Sequence, residues 1–290
     1  MIIDPIATRL DAVTQAHPEL TTIAEYYRTI LPLIHRADLR VEPLELSREQ
    51  IEQKFRAGMP LLHQVDLNFD ERAARQLLIQ LAQALEKMQS AARQVRARAE
   101  ADRINMRLLF AAVLMGDQEL AAEHAQTINL NADLLWTLAQ NTFKPALRAW
   151  QSHFCATVSP DEWRKAYCFV CGAAPTFGEL QGNDQARHLR CGQCGADWFY
   201  ERLICIYCGY ARPDKLKQFY PADQRTKVYV QTCDNCQGYI KNLAAFSPTA
   251  PELIAVEDLA TLFLDYIARD QGYARQIIRP LEMPAPQELE

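Results

Sequence analysis

The chain has 290 residues, 49% of them hydrophobic and 23% charged, with a formal net charge of −5. That balance suits a globular protein of one large or two smaller domains and excludes collagen and wholesale disorder. The acidic sign argues against a general nucleic-acid binder, and the longest apolar run, residues 108–115, falls far short of the ~20 residues a bilayer requires. The first residues, Met1-Ile2-Ile3-Asp4-Pro5, lack a basic stretch followed by an apolar one, so a cytoplasmic location is expected.

Residues 1–165 read as an all-helical domain of seven or eight helices. Thr22 with Glu25, and Ser47 with Gln50, fit capping boxes. Asp70 fits an N-cap, and Ala74, Leu77, Leu78, Leu81, Leu85 and Met88 follow it at spacings of three and four, one face of a helix. Residues 108–115 read as a fully buried stretch, Gly116-Asp117 as a turn, and Leu134, Leu135, Leu138 and Leu147 as another buried face. Ser159-Pro160-Asp161-Glu162 reads as a further helix start.

From Tyr167 the texture changes to short β-prone runs at 188–190, 198–206 and 227–232. Residues 256–274 return to helix, with Asp258 at the start and Leu259, Leu262, Phe263, Tyr266 and Ile267 on one stripe. The tail, 280–290, holds three prolines and three acids and reads as disordered. The expected division is a helical domain over 1–165, a metal-ribbon module over 166–245, and a C-terminal helix with a flexible tail over 246–290.

The cysteines carry the chemistry. Of nine, eight form four CxxC pairs: Cys168/Cys171, Cys191/Cys194, Cys205/Cys208 and Cys233/Cys236. Two intervening residues make a tight turn that aims both sulfurs at one ion. Gly172, Gly195 and Gly209 follow three of the pairs, where a positive φ ends such a knuckle. The fourth pair has Gln237 in that position. Eight thiolates suffice for two four-cysteine sites, whereas disulfides do not suit a reducing compartment. The simplest partition follows chain order: Cys168, Cys171, Cys191 and Cys194, then Cys205, Cys208, Cys233 and Cys236. An interleaved partition is not excluded by spacing. A closed four-thiolate site has no open position for water, so it is structural or electron-carrying. Zinc and a single rubredoxin-like iron both suit it. The expected fold is therefore α+β: an all-helical N-terminal domain, tandem rubredoxin- or zinc-ribbon-like four-cysteine β-ribbons, and a C-terminal helix.

Other candidates have bland readings beside sharp ones. Residues 166–245 carry nine Lys/Arg and seven Asp/Glu, and two loaded sites would bring that module to about −2. Arg190, Arg202 and Lys241 flank knuckles and either offset thiolate charge or are solvated surface cations. Cys155 reads as a small buried hydrophobe. His188 lies three residues before Cys191 and could replace a thiolate. Trp163, Trp198 and Tyr200 are expected to supply core for a small metal module. Asp258 and Asp265 share a helix face and are read as capping and solvated residues rather than an acid–base pair. No P-loop, GxGxxG, GxSxG or HExxH is present, and an enzyme is not expected.

The chain resembles the FdhE family of formate dehydrogenase accessory proteins. Cys168-Phe169-Val170-Cys171-Gly172-Ala173-Ala174-Pro175 resembles the family's CPxCGxxP opening, with Phe169 where proline is common. Arg187 to Cys194 followed by Trp198, and Cys233 to Cys236 followed by Tyr239 and Lys241, resemble later knuckles. Glu257-Asp258-Leu259-Ala260-Thr261-Leu262, Leu264-Asp265 and Gly272-Tyr273 resemble the C-terminal signature, and Gly58-Met59-Pro60-Leu61-Leu62 a shorter motif.

The resemblance implies a cytoplasmic, non-enzymatic protein that binds the catalytic subunit of respiratory formate dehydrogenase before twin-arginine export. It implies two metal ions, with iron favoured over zinc. No nucleic-acid partner and no stable membrane insertion are expected, and a homodimer is left open. The alternatives are a metal-containing thiol redox chaperone and a nucleic-acid-binding zinc ribbon.

Overall fold

The structure, a computed structural model, describes residues 4–156, 158–221, 227–276 and 278. The chain divides into two compact units, Met1–Ser47 with Leu62–Val158, and Arg48–Leu61 with Ser159–Glu290.

Among the described residues, eight α-helices precede the paired cysteines: α1 (Pro5–Ala16), α2 (Thr21–Arg36), α3 (Arg48–Arg56), α4 (Glu71–Leu85), α5 (Ala92–Glu100), α6 (Met106–Met115), α7 (Gln118–Thr127) and α8 (Ala132–Cys155). All but α3 lie in the first unit. Short polar side chains start most of them by accepting orphan N–H groups. Asp70 accepts from Ala73 N at 2.9 Å, Asn105 from Leu108 N at 3.0 Å and Asn131 from Leu134 N at 2.8 Å. Gly116, at φ 66°, closes α6, and Asp117 caps α7.

The core of this unit is aromatic. Phe69, Phe110, Phe143 and Trp150 pack with centroids 4.8–5.7 Å apart, a geometry that adds to their burial. Trp150 Nε1 donates to Glu42 O at 2.9 Å, so its one polar atom is satisfied.

Some local expectations change. A 3-10 turn, Pro18–Leu20, leads directly into α2, which starts at Thr21, so the Thr22–Glu25 capping box does not form; instead the Thr21 hydroxyl donates to Pro18 O at 2.6 Å. The 108–115 run winds around α6 and buries only one face of it, with Leu109, Phe110 and Ala112 inside and Met115 exposed. Helix α4 ends at Leu85, so Met88 is also exposed. Cys155, expected inside, is exposed at the end of α8.

The second unit is built on one mixed six-stranded sheet: β1 (Phe177–Gln181), β2 (Ala186–Arg190), β3 (Asp197–Phe199), β4 (Leu216–Phe219), β5 (Val228–Cys233) and β6 (Gly238–Ala245), in the order β3-β2-β1-β6-β5-β4. The same unit occurs twice along the chain: knuckle, strand, strand, knuckle, strand. Within each copy the strands are antiparallel. The copies join where β1 runs parallel to β6, Gly178 opposite Asn242. Gly178 permits that approach, because a Cβ there would collide with the Asn242 side chain. The two ribbons are thus one continuous sheet. The expected strand at 198–206 shortens to β3, since 205–208 form the third knuckle.

Helix α3 belongs here, although the sequence reading places it with the helical part. Its Phe55 packs on Trp163 and Phe169 at 5.1 and 6.2 Å. The Gly58–Leu61 motif then meets the first knuckle: Tyr167 Oη donates to Gly58 O at 2.6 Å and Leu61 N to Phe169 O at 2.8 Å. Trp163, Trp198 and Tyr200 are buried, as expected. Ser159 caps only a 3-10 turn, Pro160–Glu162.

Among the described residues, two helices rather than one follow β6, α9 (Ile254–Ala260) and α10 (Leu262–Asp270), broken at Thr261, whose hydroxyl donates back to Glu257 O at 2.8 Å. Asp258 lies inside α9 and does not start it. The buried face of α10 is Leu264, Asp265 and Ala268, while Tyr266 is exposed. The disorder expected over 280–290 lies outside the described residues.

Candidate metal centres

Each knuckle is closed by the same backbone bonds. Gly172 N donates to Cys168 O at 2.9 Å, Gly195 N to Cys191 O at 2.9 Å, Gly209 N to Cys205 O at 3.0 Å and Gln237 N to Cys233 O at 2.8 Å. The donating residue sits at φ 78°, 84°, 69° and 57° respectively. Three glycines adopt that conformation freely, and Gln237 is held in it.

The knuckles meet in pairs, in chain order. The sulfurs of Cys168, Cys171, Cys191 and Cys194 lie within 4.8 Å of one another, as do those of Cys205, Cys208, Cys233 and Cys236. The nearest approaches are 3.4 Å (Cys168–Cys194), 3.6 Å (Cys171–Cys191), 3.6 Å (Cys205–Cys236) and 3.8 Å (Cys208–Cys233). A disulfide would bring sulfurs to about 2.05 Å. A tetrahedron with metal–sulfur bonds of about 2.3 Å has an edge of about 3.8 Å. The donor set and spacing therefore fit a four-coordinate soft-metal site, and both clusters could hold an ion.

Burial acts unequally on the four thiols of a cluster. It pushes the Cys168 and Cys194 thiols well above the ordinary thiol range, while hydrogen bonds from Cys168, Cys171 and Cys194 pull Cys191 well below it. In the second cluster the hydrogen bond with Cys236, together with burial, raises Cys205, and burial pushes Cys233 up to about 11. Four thiolates become stable together only around a cation.

The charged residues beside the knuckles do not serve the thiolates. Arg190 Nη1 lies 2.8 Å from Glu179 and 3.3 Å from Asp197, and both Arg190 and Glu179 are fully buried. Lys241, also fully buried, lies 2.6 Å from Asp258 and 2.7 Å from Asp265. Neither cation is the solvated residue or the thiolate partner that its sequence position suggested. Arg202 is exposed. Asp258 and Asp265 are likewise not solvated caps, because Arg275 pairs with both at 2.9 and 3.0 Å. Burial alone would raise Asp258, but Lys241 and Arg275 hold it below its ordinary value. His188 is not a ligand; its Nδ1 lies 2.5 Å from Asp197 Oδ1, a contact that raises its pKa.

Sequence reasoning missed Arg187 and Arg275. Arg187 is buried and, among the described residues, pairs with no carboxylate. It donates to Gln231 Oε1 at 2.5 Å, to Ile204 O at 2.9 Å and to the carbonyls of Tyr200 and Glu201. Burial lowers its pKa to about 10. Strand alternation from Leu189 would have turned Arg187 inward; Arg275, beyond the last helix, carries no such local signal.

Fold and sites together define a class: an α+β protein in which a helical unit accompanies twin zinc-ribbon-like four-cysteine modules on one sheet. Residues 204–281 match the family profile of FdhE, C-terminal domain. An FdhE homolog of Aquifex aeolicus is 35% identical over 120 residues, 40% of this chain and 41% of that one. Protein FdhE of Escherichia coli is 35% identical over 124 residues, 42% of this chain and 39% of that one. The matched stretch thus spans about two fifths of these relatives. The crystal structure of the FdhE protein from Pseudomonas aeruginosa shares the fold, with a TM-score of 0.58 and 22% identity, over 96% of this chain and 94% of that chain. The chain is thus similar to FdhE proteins in sequence over its C-terminal part and in fold over nearly its whole length.

Proposed function

We propose that the chain is an accessory protein of a formate dehydrogenase, that it binds the enzyme's catalytic subunit in the cytoplasm before export, and that it does not itself oxidise formate. One observation carries this reading. In a fold shared with FdhE, each candidate metal centre is closed by four sulfurs of the chain itself. A closed tetrahedral site leaves no position for water or substrate, so its metal builds a surface or carries electrons rather than performing hydrolysis. The eight cysteines Cys168, Cys171, Cys191, Cys194, Cys205, Cys208, Cys233 and Cys236 are the proposed ligands of two ions, iron or zinc.

The test is co-purification of the catalytic subunit with the tagged chain, joined to deletion of the gene. The expected result is capture of the subunit and loss of formate dehydrogenase activity on deletion. A subunit that never co-purifies, with activity unchanged, refutes the proposal. Loading with zinc separates the two uses of the metal, since zinc keeps the geometry and has no redox chemistry.

A further inference from the structure

The two centres are copies of one motif with the same knuckles and sulfur spacing, so they act as internal controls for each other. They differ in cover. All four sulfurs of the first are buried, and so are the tip residues Phe169 and Val170. Its second knuckle is roofed by Pro251, whose Cβ would be 2.8 Å from a side chain at Gly195. In the second centre, Cys208 and Cys236 are partly exposed, one from each knuckle, and the tip residue Asn235 is exposed. Any two corners of a tetrahedron share an edge, so the second site is least covered along its Cys208–Cys236 edge, where the exposed Asn235 donates to Cys208 Sγ at 3.5 Å.

The second centre also holds a segment of chain. Beyond α10, Gly272 turns at φ 85°, and residues 273–276 lie along the last knuckle. Ala274 N donates to Gln237 O at 2.9 Å, Tyr239 N to Ala274 O at 3.3 Å and Gln276 Nε2 to Cys236 O at 3.2 Å. Tyr273 Oη donates to Asp234. Every knuckle group in these bonds belongs to residues 234–239, whose conformation Cys233 and Cys236 would set by sharing an ion.

We infer that the second centre is an exchangeable metal site whose occupancy docks residues 273–276, while the first is a locked structural site. This rests on the reading that both clusters bind metal. An external chelator reaches the ion across the Cys208–Cys236 edge and replaces each metal–sulfur bond with one to its own nitrogen or carboxylate donor. The freed thiolates take protons from solvent, and the knuckle loses the shape that the segment grips.

The experiment uses full-length protein loaded with two equivalents of zinc and challenged with EDTA. One equivalent should leave at least tenfold faster than the other. Hydrogen exchange at residues 273–276 should rise with that fast phase, while 168–194 stays protected. Apart from the exposed Cys155, pulse alkylation with mass spectrometry should label Cys205, Cys208, Cys233 and Cys236 before Cys168, Cys171, Cys191 and Cys194, and the double variant Cys205→Ser/Cys208→Ser should lack the fast phase. Equal release rates, first labelling at Cys168 to Cys194, or unchanged protection at 273–276 overturns the inference. Uptake of fewer than two equivalents by the unaltered protein overturns the two-site reading itself. The alkylation map needs no variant, so the inference stays testable if the double variant does not fold.

Discussion

Lys241 and Asp265 form an ion pair sealed inside the second unit, with Nζ 2.7 Å from Oδ2 and no exposure at Lys241. The ammonium also meets Asp258 Oδ1 at 2.6 Å and Asp258 O at 2.8 Å, so its three donors are all used. The pair ties β6 to α9 and α10. Replacing Lys241 with Met would leave the buried Asp265 and the partly buried Asp258 with Arg275 and, at Asp265, the Tyr239 hydroxyl, and we expect a loss of about 3 kcal/mol. Lys241→Arg should not restore it, since a planar fork cannot occupy a compact three-donor site. Urea unfolding of the metal-loaded protein measures both; a loss below about 1 kcal/mol, on the scale of a surface pair, would count against this account.

The His188–Asp197 contact predicts a pH dependence. Hydrogen bonding to Asp197 raises the folded-state pKa of His188 above its unfolded value. The folded state therefore binds the proton more tightly. Its stabilisation is complete below about pH 6.5 and fades as pH rises through the raised folded value. His188→Gln should destabilise the protein most near pH 6 and least near pH 8.5. Thermal melts of both proteins across that range decide it; a gap that widens with pH would show the opposite linkage.

Gln237 occupies a knuckle position where the other three have glycine, at φ 57°. Gln237→Gly should be neutral or stabilising by up to about 1 kcal/mol, because relief of left-handed strain outweighs the added freedom of the unfolded chain. Gly195→Ala should do harm twice, through φ 84° and through a Cβ 2.8 Å from Pro251. We expect weaker metal retention at the first centre, measurable by competition with a chromogenic chelator.

Metal removal should act on one unit. Apart from Cys155, the first unit has no cysteine and owns its aromatic core, so far-UV circular dichroism should retain most of its helical signal after chelation. The sheet should lose its order because metal binding supplies folding free energy there. Collapse of most of the helical signal would show that the units depend on one another.

The same logic predicts the outcome of removing one ligand pair. Cys168→Ser with Cys171→Ser should remove one of two metal equivalents, read by elemental analysis, since each cluster draws its sulfurs from its own half of the sheet. Loss of both equivalents from a folded variant would contradict independent sites.

What the sequence determined by itself is what short range controls. Cys-x-x-Cys spacing and a following glycine specify a knuckle because the turn closes within five residues, and Asp70 or Asn131 caps a helix through an N–H three residues away. Heptad-like spacing placed Leu77, Leu78, Leu81 and Leu85 inside for the same reason. The tertiary structure decided everything that depends on distant partners. Arg190 and Lys241 look like surface cations until Glu179, Asp258 and Asp265, 11, 17 and 24 residues away in the chain, meet them in the interior. The parallel join of β1 to β6 makes one sheet of two ribbons, and no local pattern encodes it. Equal motifs at the two centres carry equal sequence signals. The packing of Pro251 on the first, and the partial exposure of Cys208 and Cys236 in the second, set them apart, because burial belongs to neighbours in space rather than in sequence.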